Sequence, residues 1–178
     1  MLALSLLTAD AKAQPLAQSK PSFWTSGPAG GAYGLFLEGG VTAGSFEGLA
    51  GSYPFAAGSF GLGASLRWFE ASFTGYYGST FDSGYSGGGF LGRVAARVPV
   101  KYVAFTIGSE LGYLKVPGHY IEGLVLEPVS LGVEIDPVCH LRIGVLGAFG
   151  WAFAGVGSDV FRSTLTVGYA MGPCPQSR

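Results

Sequence analysis

The stretch CHLRIGVLGAFGWAFAGVG, residues 139–157, sets the narrowest limits on what this chain can fold into. After Arg142 it carries no charge until Asp159. A helix across hydrocarbon needs about 20 apolar residues, and the run from Leu141 to Ala154 is shorter. Gly144, Gly147 and Gly150 interrupt it, and glycine weakens a helix. Period two resolves the segment. Leu141, Ile143, Val145, Phe149, Trp151 and Phe153 share one face, with Gly147 the one gap. Arg142, Gly144, Leu146, Ala148, Gly150 and Ala152 share the other. A large apolar face backed by a small one is the pattern of a strand crossing a bilayer at a tilt.

The pattern recurs along the chain. Strand one sets Tyr33, Leu35, Leu37 and Val41 against Gly34, Glu38 and Gly40. Strand two sets Phe60, Leu62, Ala64 and Leu66 against Ser59, Gly61, Gly63 and Ser65. Strand three sets Phe69, Ala71, Phe73 and Tyr77 against Glu70, Ser72, Thr74 and Tyr76. Strand four sets Phe90, Val94, Ala96 and Val98 against Arg93, Ala95 and Arg97. Strand five sets Val103, Phe105, Ile107, Leu111 and Tyr113 against Ala104, Thr106, Gly108, Glu110 and Gly112. Strand six sets Val129, Leu131, Val133 and Ile135 against Ser130, Gly132 and Glu134, and Glu127-Pro128 predicts a bulge or an early strand end above them. Strand eight sets Phe161, Leu165, Val167, Tyr169 and Met171 against Arg162, Thr164, Thr166 and Gly168. With the opening segment as strand seven, the total is eight.

Composition decides which face points inward. Hydrophobic residues make up 48% and charged residues only 12%, about half the charge of an ordinary soluble domain. The small face, rich in Gly, Ala, Ser and Thr with a few Glu and Arg, lacks the charge density of a surface in water. It suits the interior of an eight-stranded barrel, which side chains can fill. An open sheet edge is not tolerated in hydrocarbon, so the sheet must close. The expected fold is all-β, an eight-stranded antiparallel up-and-down transmembrane β-barrel. A soluble lipocalin-like barrel with its apolar face inside is the competing reading.

The flanks divide the chain further. MLALSLLTADAKAQP carries a short apolar run, Leu2 to Leu7, before Ala11-Lys12-Ala13. That predicts a signal peptide over residues 1–13, with a truncated start because the basic leading segment is missing. A Pro-containing linker follows over 14–31, then the barrel over 32–172 and a tail over 173–178. An even strand number puts both termini on one side, assigned to the periplasm. The turns around Trp68-Phe69, Pro99-Val100 and Pro137 are then short and periplasmic. AGSFEGLAGSYPF and GSTFDSGYSGGG are expected as mobile outer loops, KVPGHYIEG as a moderate one and AGVGSD as a tight one. Tyr33, Trp68, Phe69, Tyr102 and Tyr169 would mark the inner membrane interface. Tyr77, Phe90, Tyr113, Trp151, Phe153 and Phe161 would mark the outer one.

The eight alternating strands, short turns on one side and charged interior resemble the small outer-membrane barrels of the OmpA/OmpX kind, over about residues 32–172. Leu165, Val167, Tyr169 and Met171 resemble the terminal assembly signal of such proteins, though Thr166 stands where that signal has glycine and GPCPQSR follows. The resemblance implies a Gram-negative outer-membrane location and delivery by the barrel-assembly machinery. It implies outer-membrane lipids and lipopolysaccharide as surroundings, and a structural or surface-interaction role. Alternatives are a lipid-directed enzyme or a small, porin-like passive pore.

Inward charges are expected at Glu38, Glu70, Arg93, Arg97, Glu110, Glu134, Arg142 and Arg162, with Arg67 beside them. Near balance predicts mutual pairing that plugs the lumen, since charges in a narrow interior are costly unless paired. Glu134 and Arg142 flank the Pro137 turn and should pair directly. Cys139 and Cys174 are expected to form a disulfide at the periplasmic rim. No catalytic, cofactor or metal residue is assigned. His119 lies in an outer loop without the His-x-Ser arrangement of lipid A deacylases. His140 with Cys139 and Cys174 offers three ligands where structural zinc usually takes four. Net charge is −1 with no basic run, so no nucleic-acid partner is expected.

Overall fold

The computed structural model describes residues 34–48, 51–81, 84, 86–100, 103–116, 121–138, 140–153 and 158–171. They form eight strands: β1 (Gly34–Gly48), β2 (Gly51–Ser65), β3 (Phe69–Thr80), β4 (Ser86–Val100), β5 (Val103–Val116), β6 (Ile121–Val138), β7 (Leu141–Phe153) and β8 (Ser158–Met171). Each pairs antiparallel with the next, and β1 pairs with β8, so the barrel is closed. Leu35 lies opposite Met171, which brings the two ends of the barrel chain to one rim. That rim is called proximal here and the opposite one distal.

The period-two faces point as the composition requires. Leu35, Leu62, Phe73, Val94, Ile107, Leu131, Val145 and Val167 are exposed on the outer wall. Val94 is 67% exposed, whereas Arg97, three residues on, is 1% exposed. A wall of this kind leaves no unpaired backbone edge, which is what hydrocarbon demands.

The strands run longer than the alternation in the sequence suggested. β1 and β2 have 15 residues each and β6 has 18, where about 9–11 suffice to cross a bilayer. The segments expected as the loops AGSFEGLAGSYPF, GSTFDSGYSGGG and KVPGHYIEG are therefore mostly strand. Gly48 pairs with Gly51, Ser79 with Ser86, and Val116 with Ile121. The physical reason is an inversion of polarity at constant period. Towards the distal rim the outward residues become Glu47, Ser52, Lys115, Glu122 and Asp159, all exposed. The inward residues become Phe46, Leu91, Val125, Ala152 and Val160, a buried cluster joined by Tyr53, Phe55, Tyr76 and Leu114. Phe46 stacks on Phe55 at 4.7 Å. Above the apolar wall the barrel is apolar inside and, Phe81 apart, largely polar outside.

β6 carries the bulge expected at Glu127-Pro128. Its register slips against β7 between Leu126 and Val129, and β5 slips against it between Gly108 and Glu110. The strand continues through the bulge to Ile121 instead of ending. Ser109 donates a hydrogen bond to the Pro128 carbonyl at 2.8 Å.

The proximal turns are short. Leu66–Trp68 joins β2 to β3, with Leu66 N–H on the Phe69 carbonyl at 2.7 Å. His140 closes the β6–β7 turn at φ 69°. Its Nδ1 lies 2.8 Å from the Ala170 carbonyl, which only accepts, so Nδ1 carries the proton. Arg67 is corrected from the inward set: it sits exposed in the β2–β3 turn, its guanidinium 5.1 Å from the Trp68 ring. Cys139, Cys174 and His119 lie outside the described residues, and so do Tyr33 and Tyr102.

Candidate lumen ion-pair site

Every strand but β2, which has no charged residue, contributes inward charge through the same pleat, so the lumen charges stack at successive depths. Seven of the sequence-expected charges meet in one continuous alternating chain, which Glu127 and Asp136 extend. From the proximal side, Asp136 is 3.9 Å from Arg97 and Arg97 Nε donates to Glu134 at 3.1 Å. Arg142 Nη2 donates to Glu134 at 2.5 Å and also to Glu70. Arg93 Nη1 donates to Glu70 at 2.7 Å, and its Nε lies 3.6 Å from Glu110. Arg162 Nη2 donates to Glu110, and at 2.6 Å to Glu127.

Neutral groups complete the chain. Arg93 donates to Thr106 at 2.8 Å and to Ser130 at 3.2 Å. Arg162 donates to Tyr76 at 2.8 Å and Thr164 at 3.1 Å. The Arg142 guanidinium also lies 4.0 Å from the centre of the Phe36 ring. Shared carboxylates and guanidinium groups that donate to several partners are how buried charges become tolerable.

Glu38 stands apart from the direct ion pairs. It is half-buried beside Arg142 and is hydrogen-bonded to Thr166. With Glu70, Arg93, Glu110 and Arg142 it lines a small polar cavity of about 40 Å3, room for roughly three waters.

Glu127 and Asp136 are the members that sequence reasoning missed, and Glu127 is the more deeply placed. It is fully buried, and Arg162 Nε also donates to it at 2.9 Å. The bulge turns it inward, whereas strict alternation from Glu134, Gly132 and Ser130 reaches Pro128 instead. Val125 and Glu127 two apart, just before a Pro at a broken alternation, were the available signal. Among the described residues no group of three or more His, Cys, Asp or Glu is placed to hold a metal.

Beyond the apolar wall, at the distal tip of the β5–β6 hairpin, Glu122 accepts from Tyr113 at 2.6 Å and pairs with Lys115 at 2.9 Å. The Tyr113 hydroxyl, and after it Lys115, hold the Glu122 carboxyl below its ordinary value.

The architecture is a closed eight-stranded antiparallel β-barrel, apolar outside and ionic inside. No family model matches the chain, and no curated protein does. Among solved structures, the crystal structure of Neisserial surface protein A (NspA), an eight-stranded outer-membrane barrel, is similar with a TM-score of 0.60. Identity is 9%, and the match covers 75% of this chain and 96% of that one. A likeness at that identity is one of fold.

Proposed function

We propose that this chain is an integral outer-membrane β-barrel with a structural or surface-interaction role, its lumen closed by the Glu/Arg chain and its proximal rim in the periplasm. The observation that carries the reading is the double inversion of polarity. The middle of the barrel is apolar outside and ionic inside, and the distal end reverses both. Only a wall that passes from lipid into water needs that change. Outer-membrane lipid and lipopolysaccharide are the surroundings that the wall fits, and the barrel-assembly machinery is the route by which it is inserted. The protein acts without catalysis and without a cofactor in this reading.

The test is electrophoretic. Protein extracted from outer-membrane fractions should migrate faster unboiled than boiled, because a closed barrel resists detergent until heated. A mobility that never changes on boiling, or recovery of the protein in the soluble fraction alone, would overturn the proposal.

A further inference from the structure

Between the ionic chain and the distal rim, the lumen holds a second cavity of opposite character. Its walls are Phe46, Phe55, Leu91, Leu114, Val125 and Val160. It is partly open, with a free volume of about 60 Å3. Apolar walls of this kind favour apolar guests. Its floor is Arg162 with Tyr76 and Glu127. Every nitrogen of that guanidinium already donates: Nε to Glu127, Nη1 to Tyr76 and Thr164, Nη2 to Glu110 and Glu127.

From this we infer that the distal mouth of the barrel is a binding site for the methyl end of a single alkyl chain. The floor's guanidinium has no N–H left for a carboxylate or phosphate, and the Glu127 carboxylate beside it opposes either, so a charged head gains little by entering. The apolar walls reward methylene groups, at about 0.8 kcal/mol for each one buried. The space is narrow enough for a short run of one chain and too small for a ring system. The polar end of the guest therefore stays outside, beside the exposed distal residues Glu47, Lys115 and Asp159. A free fatty acid and a lipid acyl chain share this chemistry.

Photolabelling of the full chain folded in phosphatidylcholine vesicles separates the outcomes. One probe is a free fatty acid with a diazirine next to its terminal methyl. The other is a phosphatidylethanolamine whose acyl chain bears the same group. Adducts on Phe46, Leu91, Val125 or Val160 are expected with at least one of them, and which one identifies the source of the chain. Moving the diazirine next to the carboxyl should abolish those inward adducts. Val160→Trp and Leu91→Trp fill the cavity from β8 and from β4. Whichever keeps its heat-dependent mobility should lose the inward adducts. Labelling confined to outward residues such as Leu165 and Val167 would overturn the site while leaving the membrane barrel intact. Inward adducts that persist in a folded, filled variant would overturn it as well.

Discussion

Arg162 holds Glu110, Glu127, Tyr76 and Thr164 at once, so its removal orphans more than one charge. Arg162→Met should destabilise the barrel by about 3–5 kcal/mol, the cost of stranding buried charge. Adding Glu127→Gln should recover part of that loss, which urea unfolding in lipid vesicles would measure. Glu134 and Arg142 should show coupling in a double-mutant cycle, reduced because Arg142 also binds Glu70. Zero coupling would mean that the pair does not act as one. Glycines separate equally clearly. A Cβ on Gly147 would meet nothing within 4 Å, whereas one on Gly112 would collide with the Phe90 carbonyl oxygen. Gly147→Ala should thus stay within about 0.5 kcal/mol of the parent, and Gly112→Ala should cost about 1–3 kcal/mol through overpacking. The sequence exposed Gly147 as a gap in an apolar row. It could not show that Gly112 packs against a neighbouring backbone, because that depends on register across strands. The paired charges were legible for the same reason that Glu127 was not: alternation alone finds a face until a bulge changes its phase.

Strand β6 shows how one residue governs that phase. Two of its residues, Glu127 and Pro128, stand opposite a single position of β7. If Pro128 is deleted, Val129 still points out, Glu127 in, Leu126 out and Val125 in. Deleting Val133 instead turns Ser130, Glu127 and Val125 outward, because a one-residue slip exchanges the faces. The Pro128 deletion should therefore keep a heat-dependent gel mobility and lose only the Ser109 contact, whereas the Val133 deletion should not fold. Failure of both would mean that the bulge itself is required for closure. Alternation placed eight strands at the right positions in the chain. It fell short at their distal ends, where SFEG and SYPF keep period two with the polarity exchanged. The large-out, small-in pattern ends at the point where the outward face turns polar. The loop expectation failed there through an assumption about solvent, while the periodicity itself held.

At the scale of the whole molecule, eight strands leave an interior that side chains can fill, and the two lumen cavities are small. The polar one has about 40 Å3 and the apolar one about 60 Å3. Between them stand Arg162, Glu110 and Glu127, joined by direct hydrogen bonds. A permeating ion would have to break alternating contacts from Asp136 to Glu127 one after another. Each step would strand a buried charge, at a cost of several kcal/mol. A cation meets Arg97, Arg142, Arg93 and Arg162 in turn, and an anion meets the carboxylates between them. Neither sign has a continuous path, in contrast to a pore lined by charge of one sign. Purified protein in a planar bilayer should consequently show no large, steady conductance at neutral pH. Cutting the middle of the chain with Glu70→Ser and Arg93→Ser removes two of the bulkiest groups at one depth and leaves the outer wall untouched. That variant should admit water and conduct measurably more than the parent, provided that it retains heat-dependent mobility. A large, steady conductance from the parent would show that the lumen is open and that the ion pairs yield to permeating ions. A parent and a folded variant that are equally silent would place the barrier at the distal apolar cluster of Phe46, Leu91, Val125 and Val160, and Phe46→Ala combined with the double substitution would then be expected to open it.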